Sequence, residues 1–165
     1  MDRKLFIGVD PAFRRNGFAA AIIDGDTLQT KRFVDLIDFV FFVVSLHNMN
    51  ADVVFCIENA NEQNATFPRT FAHNAAKQAR LSRNVGANQA VSELACIAVE
   101  KIFGKSRLIS VSPIKKGAKM SEKYLLAVLQ SMNIKLCTNR CLTQDEIDAA
   151  KLAIFAKNRI WAQKS

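Results

Sequence analysis

The chain opens with short apolar blocks separated by turn formers. Leu5 to Val9 is apolar and ends on Asp10; Gly17 to Asp24 is a second block, and Thr27 to Val34 a third. The segment Pro11 to Gly17 separates the first two, and Asp24-Gly25-Asp26 separates the last two. Blocks of this length bounded by such residues predict three antiparallel strands joined by tight turns. Asp35 stands where an N-cap would start a helix running to about Asn48. Its apolar residues (Leu36, Ile37, Phe39, Val40, Val43, Val44) predict a largely buried helix. Ala51 to Glu58, apolar almost throughout, predicts a central parallel strand covered on both faces.

Residues 59–88 break the pattern. They are polar, Asn-rich and basic, too long for a simple connection, with a helix predicted over Ala72 to Ser82. A clear helical period follows from Gln89 to Phe103, placing Val91, Leu94, Ala95, Ala98, Val99 and Ile102 on one face, with Gly104 as its cap. Arg107 to Val111 predicts a fifth strand, stopped by Ser112-Pro113. A basic loop, Lys115 to Lys119, precedes a helix from Ser121 to about Met132. The last helix opens at Thr143-Gln144-Asp145-Glu146, which has capping-box spacing, and runs to about Ala162. The order β-β-β-α-β-α-β-α-α predicts an α/β fold with a mixed five-stranded sheet, three antiparallel strands and then two parallel ones.

Bulk properties narrow the class. A chain of 165 residues, half of them apolar, is expected to form one domain, residues 1–165, with a real core. The absence of a long apolar run excludes an ordinary membrane span, and the absence of a signal peptide at Met1-Asp2-Arg3-Lys4 leads to a cytoplasmic expectation. Cys56 and Cys96 lie in apolar runs as core residues. Cys137 and Cys141 are a lone C-x3-C pair, which argues against a zinc site, and a reducing compartment disfavours a disulfide. The net charge of +8 suits a polyanionic partner or a merely soluble basic surface, and charge alone does not choose.

The candidate chemistry lies in four acids. Asp10 and Glu58 end apolar runs, and Asp145 and Asp148 sit three residues apart at a helix start. A carboxylate at the end of a buried strand is costly unless something neutralises it, and a divalent cation does so where no Lys or Arg shares the run. Hard oxygen donors suit Mg²⁺ or Mn²⁺, and four of them together suit a two-metal phosphoryl-transfer site. Blander readings exist. Asp10 before Pro11 has the form of a turn Asp, Glu58 that of an exposed strand end, and Asp145 that of an acid favoured by the helix dipole. Glu62 and Glu146 read as a loop acid and a capping acid, and His47 as a packed or dipole-stabilised residue at a helix end. His73 lies in the basic stretch and is not expected to be catalytic.

The motifs Gly8-Val9-Asp10-Pro11, Gly17-Phe18-Ala19, Ile57-Glu58, Ser112-Pro113-Ile114-Lys115-Lys116, Ala118-Lys119 and Asp145-Glu146-Ile147-Asp148-Ala149-Ala150 span nearly the whole chain. In this order they resemble the RNase H-like fold, and within it the RuvC family of Holliday-junction resolvases. The resemblance implies that Asp10, Glu58, Asp145 and Asp148 are the catalytic and metal-binding acids. They would hold two Mg²⁺ ions, or Mn²⁺ in their place, with Asp10 bridging, Glu58 on the leaving-group side and Asp148 on the nucleophile side. Asp145 stays open between ligand, a group behind the ligands, and a helix-start acid. The resemblance also implies a homodimer that resolves four-way or other branched DNA by paired phosphodiester hydrolysis. Lys116 and Lys119 resemble positions that contact DNA near the scissile phosphate.

Lys77, Arg80, Arg83, Lys115, Lys116 and Lys119 are the expected phosphate-binding surface, with Arg69 in the same basic stretch. The better-known cellular members carry an aromatic residue soon after the strand-end Glu. Here Asn59 to Asn64 fills that stretch and the first aromatics are Phe67 and Phe71, which either stack on unpaired bases or join the core, as most of the 12 Phe should. The compact form resembles a phage or mobile-element member. Ala90, Ala95 and Ala98 offer small residues for helix packing across a dimer. The rival readings are a nuclease for RNA–DNA hybrids or flaps, and a non-catalytic DNA-binding protein on the same fold. A kinase or ATPase relative would need a Gly-rich phosphate loop, which is absent, so no nucleotide cofactor is expected.

Overall fold

The computed structural model describes residues 4–14, 16–62, 75–113 and 118–162, with backbone alone for residues 75–78, 81 and 160–162. Strands β1 (Lys4–Asp10), β2 (Phe18–Asp24) and β3 (Thr27–Phe33) are followed by α1 (Leu36–Asn48), β4 (Asp52–Glu58) and α2 (Ala75–Phe103). Then come β5 (Leu108–Val111), α3 (Glu122–Ser131), β6 (Lys135–Leu136) and α4 (Gln144–Ala162). Among the described residues the sheet has six strands in the order β5-β4-β1-β2-β3-β6. β2 pairs antiparallel to both β1 and β3, while β4 pairs parallel to β1 and β5 parallel to β4. This is the mixed sheet flanked by helices that the RNase H-like reading expects. The sixth strand is a correction: β6 adds two residues parallel to β3, too short to leave a pattern in the sequence.

The local signals operate as expected. Gly25 takes φ +62 in the two-residue turn between Asp24 and Thr27, a conformation that Gly adopts without a Cβ clash. The Asp35 carboxylate accepts from the N–H groups of Ile37 and Asp38 at 2.8 and 3.1 Å and so caps α1. Ser121 accepts from Tyr124 N–H at 3.2 Å and caps α3.

Alternation along the strands divides the core in two. Ile7, Val9, Val53, Phe55 and Ile57 pack under α1 and α2 with Phe18, Phe39, Val43, Ala95 and Val99. Phe6, Val54 and Cys56 pack on the other face with Ala19, Ala21 and the α4 residues Ala149, Leu152, Ala153 and Ala156. On that second face small residues meet small residues. A Cβ on Gly8 would lie 2.0 Å from the Ala149 carbonyl oxygen and 2.2 Å from the Ala153 nitrogen, so α4 rests directly on the β1 backbone.

Three expectations are corrected. The predicted helices at 72–82 and 89–103 are one helix, α2, which passes through Gly86 without interruption. α1 is only partly buried: Phe39, Val43 and Leu46 face the core, while Ile37, Phe41 and Val44 are exposed. On α2, Leu94 is exposed, and Ala95 is buried in this chain's own core, which removes it from any surface for a second copy.

Candidate active site

Three elements bring the acids to one end and one face of the sheet. β1 and β4 run parallel with Val9 opposite Ile57, so the next residues, Asp10 and Glu58, end adjacent strands at about 4.8 Å spacing. Side chains alternate between faces, and Gly8 and Cys56, two residues earlier, face α4; Asp10 and Glu58 therefore share that face. α4 runs antiparallel to β1: its late residue Lys157 donates to the carbonyl of Gly25, in the turn beyond the first residues of β1, at 3.0 Å. Its N-terminus, with Asp145 and Asp148, consequently lies at the carboxyl ends of β1 and β4.

The helix start is held by a buried acid. Glu146 is fully buried and accepts from Thr143 N–H at 2.9 Å, Thr143 Oγ1 at 3.0 Å, Thr30 Oγ1 at 3.0 Å and Arg140 Nη1 at 2.9 Å. The Glu146 N–H bonds Thr143 Oγ1 in return, completing the capping box. Burial pushes this carboxyl up, but the hydrogen bonds from Arg140, Thr143 and Thr30 outweigh it and hold the pKa down at about 2. Glu146 is thus a capping acid, as expected, and ties α4 to β3.

Asp148 is only 6% exposed and accepts a 2.9 Å hydrogen bond from Gln144 Nε2, one helical turn earlier. Asp145 forms an ion pair with Arg14, from the loop between β1 and β2. Arg14 and Gln144 were not among the expected site residues. Gln144 is legible in hindsight from its i, i+4 spacing to Asp148, whereas nothing local in the sequence marks Arg14. The acids share an end and a face, but among the described residues no group of three is close enough to hold one metal ion. Arg14 engages Asp145 and Gln144 engages Asp148. The donor chemistry fits a hard divalent cation, since all four are carboxylates and two end neighbouring rigid strands.

The basic positions fall in two places. Lys119 is exposed, and the residues on either side of it are bound to α4: Lys151 Nζ donates to Ala118 O at 2.8 Å and Gln144 Nε2 to Met120 O at 3.4 Å. Lys119 is therefore held beside the helix start that carries the acids. α2 passes the end of β4 where Asn59 Nδ2 bonds Glu93 Oε2 at 3.2 Å and Asn61 Nδ2 bonds Gln89 O at 3.0 Å. Its N-terminal part, Ala75 to Asn88, forms an arm about 20 Å long at 1.5 Å per residue before that contact. Arg80 and Arg83 are exposed on this arm; Lys77 is on it, with its side chain outside the described set. Phe67, Arg69, Phe71, Lys115 and Lys116 lie outside the described residues.

The remaining candidates are structural. Cys56 and Cys96 are buried thiols, pushed up to about 12 and about 11 chiefly by burial, and so are poor nucleophiles. Cys137 and Cys141 are exposed and free. His47 packs edge-on against Phe103 with ring centroids 5.4 Å apart. No helix among the described residues is long and apolar enough to cross a membrane.

No protein-family model matches the chain, and no curated protein matches it in sequence. Solved structures similar to it include Thermus thermophilus RuvC in complex with a Holliday junction substrate, at 12% identity and TM-score 0.49, covering 98% of this chain and 96% of that one. They also include the human cytomegalovirus terminase nuclease domain, Mn soaked and inhibitor bound, at 17% identity and TM-score 0.34, covering 97% of this chain and 85% of that one. At such identities and scores neither likeness decides function, and the functional reading rests on this chain's own residues.

Proposed function

We propose that this chain is a metal-dependent endonuclease that cleaves branched DNA, four-way junctions in particular, with Asp10, Glu58, Asp145 and Asp148 as its working acids. The observation that carries the reading is the placement of all four at one end and one face of the sheet by three separate elements. Divalent ions bound there would supply charge neutralisation on the phosphate and an activated water. Asp10 and Glu58 end strands inside the sheet and would give the most rigid donors. Asp148 is oriented by Gln144, and Glu146 fixes the helix start from which Asp145 and Asp148 project.

Lys119 and the arm carrying Lys77, Arg80 and Arg83 would contact phosphates on either side of the acids, in keeping with the net charge of +8. Such contacts position the nucleic acid and carry little sequence information. Paired nicks on a junction require two sites, which a C2 homodimer would provide. Sedimentation with and without junction DNA checks that step: a monomer under both conditions removes the dimer.

The deciding experiment is cleavage of a labelled four-way junction beside matched linear duplex, RNA–DNA hybrid and flap, with Mg²⁺, Mn²⁺ or EDTA. Paired nicks on the junction alone, dependent on metal and lost in Asp10→Asn, are the expected result. Cleavage of the hybrid or flap instead moves the substrate. Tight junction binding without cleavage in either metal makes the chain a binding protein and the acids structural.

A further inference from the structure

Arg14 forms an ion pair with the candidate catalytic acid Asp145, and its setting is specific. The loop that carries it is fixed at both ends of a short span. Phe13 N–H donates to Asn88 Oδ1 on α2 at 2.8 Å, and Gly17 N–H donates to the Arg14 carbonyl at 3.0 Å. The Arg14 stem fills the space left by the missing side chain of Gly17. A Cβ there would lie 2.3 Å from Arg14 Cγ, 2.6 Å from Nε and 3.0 Å from Cδ. The loop backbone is thus anchored on α2 while its guanidinium reaches across the end of β1 to Asp145 on α4. The Arg14 side chain is 69% exposed and that of Asp145 is 17% exposed.

We propose that Arg14 is a resident cation of this site: it occupies Asp145 in the metal-free protein and gives that carboxylate up when a divalent ion binds. The proposal rests on the reading of Asp145 as a metal-binding acid. An ion pair with one exposed partner is weak and salt-screened, so a divalent cation can displace it. The released guanidinium is long and solvated, and loses little on leaving. Arg14 therefore acts through Asp145 as a positioning residue, and sets the metal concentration at which the acid set closes.

The test is Mn²⁺ binding to the full chain, by calorimetry and by the electron paramagnetic resonance signal of free Mn²⁺, with no DNA present. Arg14→Gln should bind Mn²⁺ about two- to fivefold more tightly than wild type at low salt, the span expected of ion pairs this exposed. The gap should narrow as added salt screens the pair in wild type. Arg14→Lys, which keeps the charge, should stay near wild type. Gly17→Ala keeps the guanidinium but displaces its stem, and should move affinity in the same direction as Arg14→Gln. If wild type binds Mn²⁺ and Arg14→Gln binds it equally or more weakly, the displacement idea is overturned while the metal site stands. If no form binds Mn²⁺, the metal reading falls and the displacement idea with it. Binding by Arg14→Gln alone supports both.

Discussion

Gly8→Ala should both destabilise the protein and disconnect its acids. The added Cβ would lie 2.0 Å from the Ala149 carbonyl oxygen, 2.2 Å from the Ala153 nitrogen and 2.8 Å from the Leu152 carbonyl carbon. Ordinary contact begins at 3.4 Å, so something must retreat by about 1.4 Å. All three atoms are backbone, and no rotamer change relieves them. Overpacking where side chains can yield costs about 1–3 kcal/mol. Here either α4 lifts from β1, or β1 bends within a sheet it shares with β2 and β4, so at least about 3 kcal/mol is expected. That is a large share of a typical stability of about 5–15 kcal/mol. The same shift moves Asp148, one residue before Ala149, relative to Asp10 on the strand below. Misplacing reacting groups by about 1 Å costs roughly 100-fold in rate. Urea denaturation gives the first quantity, and junction cleavage per folded molecule gives the second. A loss of less than about 1 kcal/mol with full cleavage would show that α4 is not seated on Gly8, and the placement of Asp148 beside Asp10 would fall with it.

The buried Glu146 and the exposed Arg80 and Arg83 each give a further test. The Glu146 carboxyl, lowered from 4.5 to about 2, stabilises the fold above pH 4.5 and loses that contribution as pH falls through 2; at 1.36 kcal/mol per pH unit it amounts to about 3 kcal/mol. The stability difference between wild type and Glu146→Gln should therefore shrink between pH 5 and pH 2 in urea titrations, and a constant difference would refute the assignment. Replacing Arg80 and Arg83 together by Ala should leave stability unchanged, because both are exposed, while lowering the slope of log K against log salt for duplex binding by about 1.8. An unchanged slope would remove the arm from the DNA-binding surface.

Much of the fold is legible because burial leaves its mark on the sequence. β1, β2 and β4 are buried on both faces and read as continuous apolar runs, α4 carries an apolar stripe, and each lies within a residue or two of its expected bounds. The misreadings fall where that link fails. α2 reads as two helices because none of residues 83–88, between the two expected segments, is buried, so that stretch has no apolar stripe to join them. Its helical residues carry exposed Arg and Asn instead, and a polar stretch of that kind reads as a loop. α1 erred in the opposite sense: Ile37, Phe41 and Val44 are as apolar as Phe39 and Val43, and composition could not say which of them the sheet would cover. Ala95 shows the same ambiguity at one position, since a small residue on a helix suits a close contact whether the neighbour is its own sheet or a second chain.

The candidate site divides along a similar line. Asp10 and Glu58 stand out in the sequence because a charge at the end of an apolar run needs a reason, and strand pairing then makes them neighbours. The spacing of Asp145 and Asp148 is likewise local and visible. What joins the two pairs is not local. It depends on Gly8 and a row of Ala residues letting α4 lie against β1, and on Glu146 gathering Thr30, Arg140 and Thr143 around the helix start. The Arg14–Asp145 pair spans 131 residues, a separation at which no spacing rule operates. Residues proposed to present the chemistry can therefore be read from their own neighbourhoods, whereas the residue proposed to regulate access to it is defined by a fold-level juxtaposition. That is why Arg14, which looks like one of many basic turn residues in the sequence, becomes the group whose removal is expected to change metal affinity without touching the acids themselves.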